Sequence, residues 1–324
     1  MPTTRTDYQD LQRRKAPWLR PLRRAAQVGL ARACLALARL MPMPALQALG
    51  RGLGLLGMVV APGERRVADY QLALALPQIP AAQRRRLIRR CFQHLGMTAV
   101  EFLAMPRIRR KGEEWLRLEG AEHLVAAHAR GQGVVLVTAH VGNWELLSAA
   151  HDRLRIPMLA VARPLTSPAL NRIILELRRS PYSEIVERGT PAASRKLLAG
   201  LKSGRVLIVL IDQDIEAQSV WVKFFGMPAK TPRVAASLAL RLGTAVVTGF
   251  DERLPDGRHC IHFQEVPVPE VLRQDPDGER LLTQALSDRI EAHVRAHPEQ
   301  WAWNHRRWLH APEQPATAPD SSVV

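Results

Sequence analysis

The sequence predicts an α/β fold: a mostly parallel central sheet flanked by helices, with an apolar N-terminal helical segment ahead of it. Three observations predict this. Short apolar runs of strand length lie at 133–138, 157–161, 206–211 and 244–250. Helical patterns at 144–154, 167–179, 191–202 and 231–242 alternate with them. Strands that alternate with helices in this way build parallel sheets covered on both faces. With 324 residues, 47% of them apolar, the chain can also bury the core such a fold needs.

Taken in order, residues 1–24 are polar and basic and read as a flexible arm. Residues 25–62 read as one or two apolar helices broken near Pro42 and Pro44. Arg32, Arg39 and Arg51 interrupt them, so no uncharged stretch reaches the roughly 18 to 20 residues that span a bilayer. No small-residue cleavage site follows a short apolar region, so no signal peptide is expected. Arg24, Arg32 and Arg39 fall near one side of a helical wheel, with apolar residues such as Val28 and Leu35 around the rest. A cationic stripe on an apolar helix suits a bilayer surface, and the basic residues ahead of it favour anionic lipid. The same segment also reads as a core-packing helix pair. Residues 81–106 read as an amphipathic helix, with Leu87, Ile88, Cys91, Phe92, Leu95, Met97 and Val100 at helical spacing. The α/β domain is expected over 63–310, with a late helix at 280–296, and 311–324 reads as a disordered tail.

Lys and Arg outnumber Asp and Glu by 46 to 30, a formal charge of +16, which favours anionic partners. The three cysteines are far apart and lack metal-ligand spacing, so a reducing compartment is expected.

The chemistry concentrates in "VVLVTAHVGNWELL", where a buried strand ends and His140 and Glu145 follow, five residues apart. Thirty acids and eleven histidines in this chain give about one such pair by chance, so spacing alone carries nothing. Context carries more, because ligands of open α/β sheets sit at the carboxyl ends of strands. Asn143 is placed to cap the next helix, leaving Glu145 in its first turn, from which it reaches back to steady His140. The same residues also read as a capped helix beside an incidental histidine.

Other patterns carry less. Gly52, Gly54 and Gly57 spell GxGxxG, but no strand precedes them, and close helix packing is the expected use. His293 and His297 lack a third ligand and read as a solvated helix face. No GxSxG or Walker loop occurs. The segment "PEQWAWNHRRW" gathers three tryptophans, a histidine and two arginines. Arg306 and Arg307 suit phosphate or carboxylate. The indoles suit either a core edge or a lipid interface.

Together these stretches resemble the bacterial lipid A biosynthesis (late) acyltransferase family, within the lysophospholipid acyltransferase-like superfamily, over roughly residues 25–310. His140, Asn143, Trp144 and Glu145 match its first block; "ARPLTSPALNRII" matches the second, with Arg163. "IDQD" and "VWVKFFGMPAKTP", with Asp212, Gln213, Phe224, Phe225, Gly226 and Thr231, match the third, and "PEQWAWNHRRW" the last. The resemblance implies a glycerol-3-phosphate acyltransferase-like fold. It implies transfer of a fatty acyl chain from an acyl-carrier-protein thioester to a hydroxyl of a lipid A precursor. His140 would be the general base with Glu145 assisting, and Asn143, Arg163, Asp212, Gln213, Arg306 and Arg307 would bind substrate. It implies no metal or cofactor, no nucleic acid, and work at the cytoplasmic face of the inner membrane on anionic lipid. Backbone amides near Asn143, with Arg163, are expected to meet the oxyanion. Two rivals remain: the same fold acting on another acceptor, such as a phosphatidylinositol mannoside or an aminolipid, and a non-catalytic basic protein.

Overall fold

Nine strands form along the described chain: β1 (Leu116–Glu119), β2 (Val134–Thr138), β3 (Met158–Ala162), β4 (Ser183–Glu187), β5 (Val206–Leu210), β6 (Ser219–Phe224), β7 (Met227–Pro232), β8 (Ala245–Arg253) and β9 (His259–Val266). Seven of them make one sheet in the order β1-β9-β8-β2-β5-β3-β4. All neighbours in it are parallel except β8 and β9. The computed structural model describes residues 20–165, 167–187 and 191–310. The expectations for the arm before residue 20 and for the 311–324 tail lie outside these.

The helices that matter below are α1 (Arg20–Leu40), α2 (Met43–Val60), α3 (Pro62–Ala75), α4 (Ala81–Leu103), α5 (Ala121–Ala129), α6 (Leu147–Leu154), α7 (Pro168–Arg178), α8 (Pro191–Lys202), α9 (Val234–Leu242) and α10 (Gly278–Ala296). The central strand β2 is buried along its whole length. Its side chains alternate between two core layers. Val135 and Val137 join Ala235, Leu286 and Ile290 of α9 and α10. Val134 and Leu136 join Leu124, Leu147 and Met43. Both faces of the sheet are thus covered, which is why its central strands read as continuous apolar runs.

The four expected strands and the helices between them are present. Helix α9 begins at Val234 rather than 231 because Thr231 and Pro232 close strand β7. The elements not expected are β1, β4, β9, α3, α5 and the β6–β7 hairpin. That hairpin turns at Phe225 and Gly226, whose φ angles are 52° and 76°. Two positive φ values in a two-residue loop match the twist of the flanking strands. The cost at Phe225 is met by its amide donating to Glu291 at 2.5 Å and by Arg295 lying 4.4 Å over its ring.

The apolar N-terminal segment is broken at Pro42, as expected. Helix α2 is long and apolar enough to cross a membrane by length and composition. One face packs on the domain, burying Met43, Leu46, Gly50 and Gly54. The other exposes Leu53, Leu56, Val59 and Val60. The core-packing reading holds for the first face, and the second leaves apolar side chains uncovered. The packed face depends on glycine. A Cβ at Gly96 of α4 would lie 2.1 Å from the Gly50 carbonyl oxygen, and one at Gly54 would lie 2.0 Å from that of Phe92. Of the GxGxxG glycines, Gly54 serves helix packing, whereas Gly52 and Gly57 face open space.

Candidate active site

Strands β2 and β5 are neighbours, parallel and in register, with Thr138 opposite Leu210. Two residues beyond each strand stand His140 and Asp212, so the register that pairs the strands brings these side chains together at their carboxyl ends. His140 Nδ1 lies 2.9 Å from Asp212 Oδ1. Asp212 Oδ2 accepts the His140 amide at 2.8 Å and the Trp301 indole N–H at 2.8 Å. Burial works to raise the Asp212 carboxyl. The charge and hydrogen bonds of His140 and Trp301 outweigh it and hold the group well below the usual carboxylate range. An ionised Asp212 keeps the proton of neutral His140 on Nδ1, which leaves the lone pair on Nε2.

The expected bond from Glu145 to His140 is not formed. Glu145 sits in the short 3-10 turn Trp144–Leu146, and its two oxygens accept Arg178 Nε at 2.9 Å and Nη2 at 2.5 Å. A bidentate guanidinium is a stronger partner for a carboxylate than a neutral imidazole. Arg178 is itself fixed by Arg109, whose guanidinium donates to the carbonyls of Leu177, Arg178 and Arg179 at the end of α7, and to Ser148. Arg109 thus ties α7 to α6 through the carbonyls that a helix C-terminus leaves open.

The loop between β2 and that turn is held from below. Gly142 has φ 55°, and a Cβ there would lie 2.1 Å from the Asp251 carbonyl oxygen. Its carbonyl is 2.9 Å from His94 Nε2, and its amide donates to the Gln300 carbonyl at 3.0 Å. The Asn143 amide donates to Asp251 Oδ2 at 2.6 Å, and its side chain donates to Glu101 Oε2 at 3.0 Å. Asn143 is fully buried and makes no side-chain cap bond, so it ties the loop down rather than capping the helix or touching substrate. Beneath it lies a sealed ionic cluster of Glu101, Asp251, Arg253 and His259. Burial alone would lower the His259 pKa, but the Asp251 and Glu101 charges raise it to about 9. Burial opposes ionisation of Glu101 too, yet Arg253 and His259 hold its carboxyl well below the usual range.

These bonds occupy the amides of His140, Gly142 and Asn143. Those three amides are therefore closed to an oxyanion. A cavity of about 320 Å³ opens beside His140. Leu147, Met158, Ile174, Ile185 and Ile208 give it apolar walls, and Trp144, Glu145, Arg163 and Arg178 line its polar part. Arg163 is exposed there. The Gln213 amide nitrogen is 3.1 Å from each His140 ring nitrogen. Trp144 meets the His140 ring edge-on at 4.9 Å.

The C-terminal block divides. Trp301 and Trp303 are buried core residues rather than a lipid interface. Arg307 is also buried. Its guanidinium donates to Lys230 O at 2.6 Å and to Thr231 and lies 5.0 Å over Phe224, so it braces the β6–β7 hairpin and is closed to substrate. Arg306 is exposed in a second cleft. His305, which the sequence reading did not single out, lies 5.0 Å from the His140 ring. Burial, then the His140 charge, lower its pKa to about 4, so it stays neutral beside His140. His293 is not on a solvated face: its ring packs 5.1 Å from Phe250, and burial, then His297, lower its pKa to about 4. Elsewhere Glu119, Cys260 and His262 gather closely enough to hold a metal ion. Both nitrogens of His262 there face carboxylates, Glu119 and Glu252, at 3.0 Å.

Residues 14–310 match the family of bacterial lipid A biosynthesis acyltransferases. The chain belongs to this family. The acyltransferase is 26% identical over 276 residues to the lipid A biosynthesis lauroyltransferase of Escherichia coli K12, covering 84% of this chain and 88% of that one. It is 26% identical over 279 residues to the palmitoleoyltransferase of the same organism, covering 84% and 87%. It is also 30% identical over 198 residues to the phosphatidylinositol mannoside acyltransferase of Mycobacterium tuberculosis H37Rv, covering 59% of each chain. The Asp212 partnership had a readable signal. "VLIVLID" ends in an acid two residues past a buried strand, the offset at which His140 follows β2.

Proposed function

We propose that the acyltransferase moves a fatty acyl chain from an acyl-carrier-protein thioester to a hydroxyl of a lipid A precursor, with His140 as general base. The observation that carries this reading is the Asp212-held imidazole at the strand ends, open to an apolar cavity. The acyl chain lies in that cavity, where each buried methylene contributes about 0.8 kcal/mol. The acceptor hydroxyl displaces the Gln213 amide from the imidazole and gives its proton to His140 Nε2 as its oxygen bonds the thioester carbon. Asp212 stabilises the imidazolium so formed. The oxyanion is met by side-chain donors, for which Gln213 and Arg163 are the groups in place. Collapse breaks the carbon–sulfur bond, and the imidazolium proton passes to the leaving thiolate. Glu145 and Arg178 form the cavity wall and place the thioester.

The reading places the enzyme at the cytoplasmic face of the inner membrane. The exposed apolar face of α2 supplies adhesion, and the +16 charge attracts anionic lipid, acidic carrier protein and phosphorylated acceptor. The similarity to a phosphatidylinositol mannoside acyltransferase supports a second reading, transfer to another glycolipid. One experiment tests both. The purified enzyme is incubated with a series of acyl-carrier thioesters and either lipid A precursors or phosphatidylinositol mannosides, and products are read by mass spectrometry. One acylated product identifies donor, chain length and acceptor together. Free fatty acid alone, with every acceptor unchanged, defeats the transferase reading.

A further inference from the structure

Transfer of an acyl chain to a lipid hydroxyl calls for a place for the acceptor besides one for the acyl chain, and the cavity beside His140 accounts for one of these. A second cleft of about 390 Å³ lies between α3 and the C-terminal segment, lined by Arg66, Val67, Tyr70, Arg306, Trp308 and Leu309. We propose that this cleft is the acceptor subsite and takes an anionic amphiphile, its phosphate or carboxylate between Arg66 and Arg306 and its chains against Tyr70, Trp308 and Leu309. The proposal rests on the transferase reading and assigns the second substrate within it.

Its chemistry is that of such a ligand. Arg66 and Arg306 are exposed, and neither has a carboxylate partner among the described residues. Two guanidiniums without carboxylate partners beside an apolar surface, Arg66 donating only to the Pro62 carbonyl, suit an anionic headgroup that carries acyl chains. Tyr70 is 65% and Leu309 52% exposed, a large apolar area for two neighbouring elements to leave uncovered. The Trp308 indole N–H has no acceptor among the described residues.

The cleft is also mechanically joined to the base. Gln71 of α3 donates to the carbonyls of Trp303 (2.6 Å) and His305, and its own carbonyl accepts the Arg307 amide at 2.6 Å. That lashing fixes the loop whose next residue, Arg306, enters the cleft and whose His305 packs on His140. Neutral His305 lets an acceptor approach the imidazole without a second positive charge beside it. Helix α2 ends at Val60, one residue before α3, with Val59 and Val60 exposed. An amphiphile drawn from a bilayer that touches this end finds the cleft next along the chain.

The test compares the full-length enzyme with R66Q/R306Q. Dodecanoyl-acyl carrier protein is the donor. The acceptor is a bisphosphorylated lipid A disaccharide in neutral detergent micelles, used with and without its phosphates. Loss of both charged contacts should raise the variant's KM for phosphorylated acceptor at least about 100-fold while its donor KM stays constant. Removing the phosphates should raise the wild-type KM to the variant's value and change the variant little. An unchanged acceptor KM in the variant overturns the subsite and leaves the transferase reading standing. Failure of the wild-type enzyme to acylate either acceptor overturns both. Sedimentation with phosphatidylglycerol vesicles separates the remaining case. If vesicle binding is lost in the variant and the micellar KM is not raised, the arginines serve membrane attachment only and the proposal fails.

Discussion

Asp212→Asn separates the two carboxylates near His140 most cleanly. Asp212 Oδ2 is fixed by two N–H donors, the His140 amide and the Trp301 indole, each at 2.8 Å. The asparagine oxygen must take that position, because an NH2 group there would meet two donors. The NH2 then occupies the Oδ1 site, 2.9 Å from His140 Nδ1. Facing a donor, Nδ1 has to become the acceptor, so the ring proton moves to Nε2 and the base loses its lone pair. The substitution also removes a charge that steadies the imidazolium. At 2.9 Å and an effective dielectric of 20, that attraction has a ceiling of about 6 kcal/mol. The imidazolium is only partly formed in the transition state, and roughly 3–5 kcal/mol is expected to be lost, a factor of ~10²–10⁴ in kcat. The analogous change in a Ser-His-Asp triad costs about 10⁴. Shape is conserved and a buried charge is removed, so the fold should survive. The assay is transfer at saturating donor, with thermal melting as the folding control. Glu145→Gln is the comparison. It leaves the imidazole tautomer alone and weakens the bond to Arg178, so kcat should fall less than about tenfold, with the larger effect on donor KM. Full activity in Asp212→Asn, together with a collapse of kcat in Glu145→Gln, would refute the assignment and restore Glu145 as the steadying carboxylate.

Three further outcomes are expected. His259 has a folded pKa near 9, above its ordinary 6.5, so its stabilising contribution is complete below about 6.5 and is lost as pH rises through 9. The unfolding free energy from urea titrations should fall between these values by an amount on the order of 3 kcal/mol, and a flat profile would contradict the buried ionic cluster. Gly96→Val should cost about 1–3 kcal/mol or more by forcing α2 off α4, and an unchanged melting temperature would count against the packing described for Gly50 and Gly54. Leu56→Ser with Val60→Ser removes two apolar side chains from the exposed face of α2, each contributing about 1.5–3 kcal/mol when buried. Vesicle binding should weaken at least tenfold, and undiminished binding would show that another surface meets the bilayer.

Much of this molecule is legible in its sequence for a physical reason. Strand segments buried on both faces must be apolar, so β2, β5 and the first half of β8 stand out as short runs, and β3 does so through its buried start at Met158 and Leu159. The strands missed carry polar residues that the run-based reading discounts. "LRLE" of β1 is an edge strand, and "HCIHFQEV" of β9 places His259 in an ionic cluster and His262 between two carboxylates. The β6–β7 hairpin was hidden because its turn uses Phe225 where glycine or asparagine would have signalled it. At the candidate site, His140 was singled out by its place after a strand, and the structure sets it beside a cavity. Its partner was mistaken because closeness along the chain was weighed above register across the sheet. Asp212 is seventy-two residues from His140 in sequence and opposite it in space. Arg307 and Asn143 misled in another way: both are polar groups in a motif, and both are spent on holding the motif together.

That expenditure explains a feature that stability alone does not. Burying Glu101, Asp251, Arg253 and His259 together is no cheaper than filling the space with hydrocarbon, and it is often worse. The cluster gives what hydrocarbon cannot: directed acceptors for the Asn143 amide and side chain, and, through Arg253 and Gln300, a fixed partner for Gly142. A base that must meet a hydroxyl within a few tenths of an ångström gains more from a loop that cannot shift than from a loop that is merely stable. The imidazole is aimed from above by Asp212, and the backbone that carries it is pinned from below by a second set of charges. The two sets share no residue but meet on one loop. Loosening the lower set should therefore lower kcat while the His140–Asp212 bond stays intact.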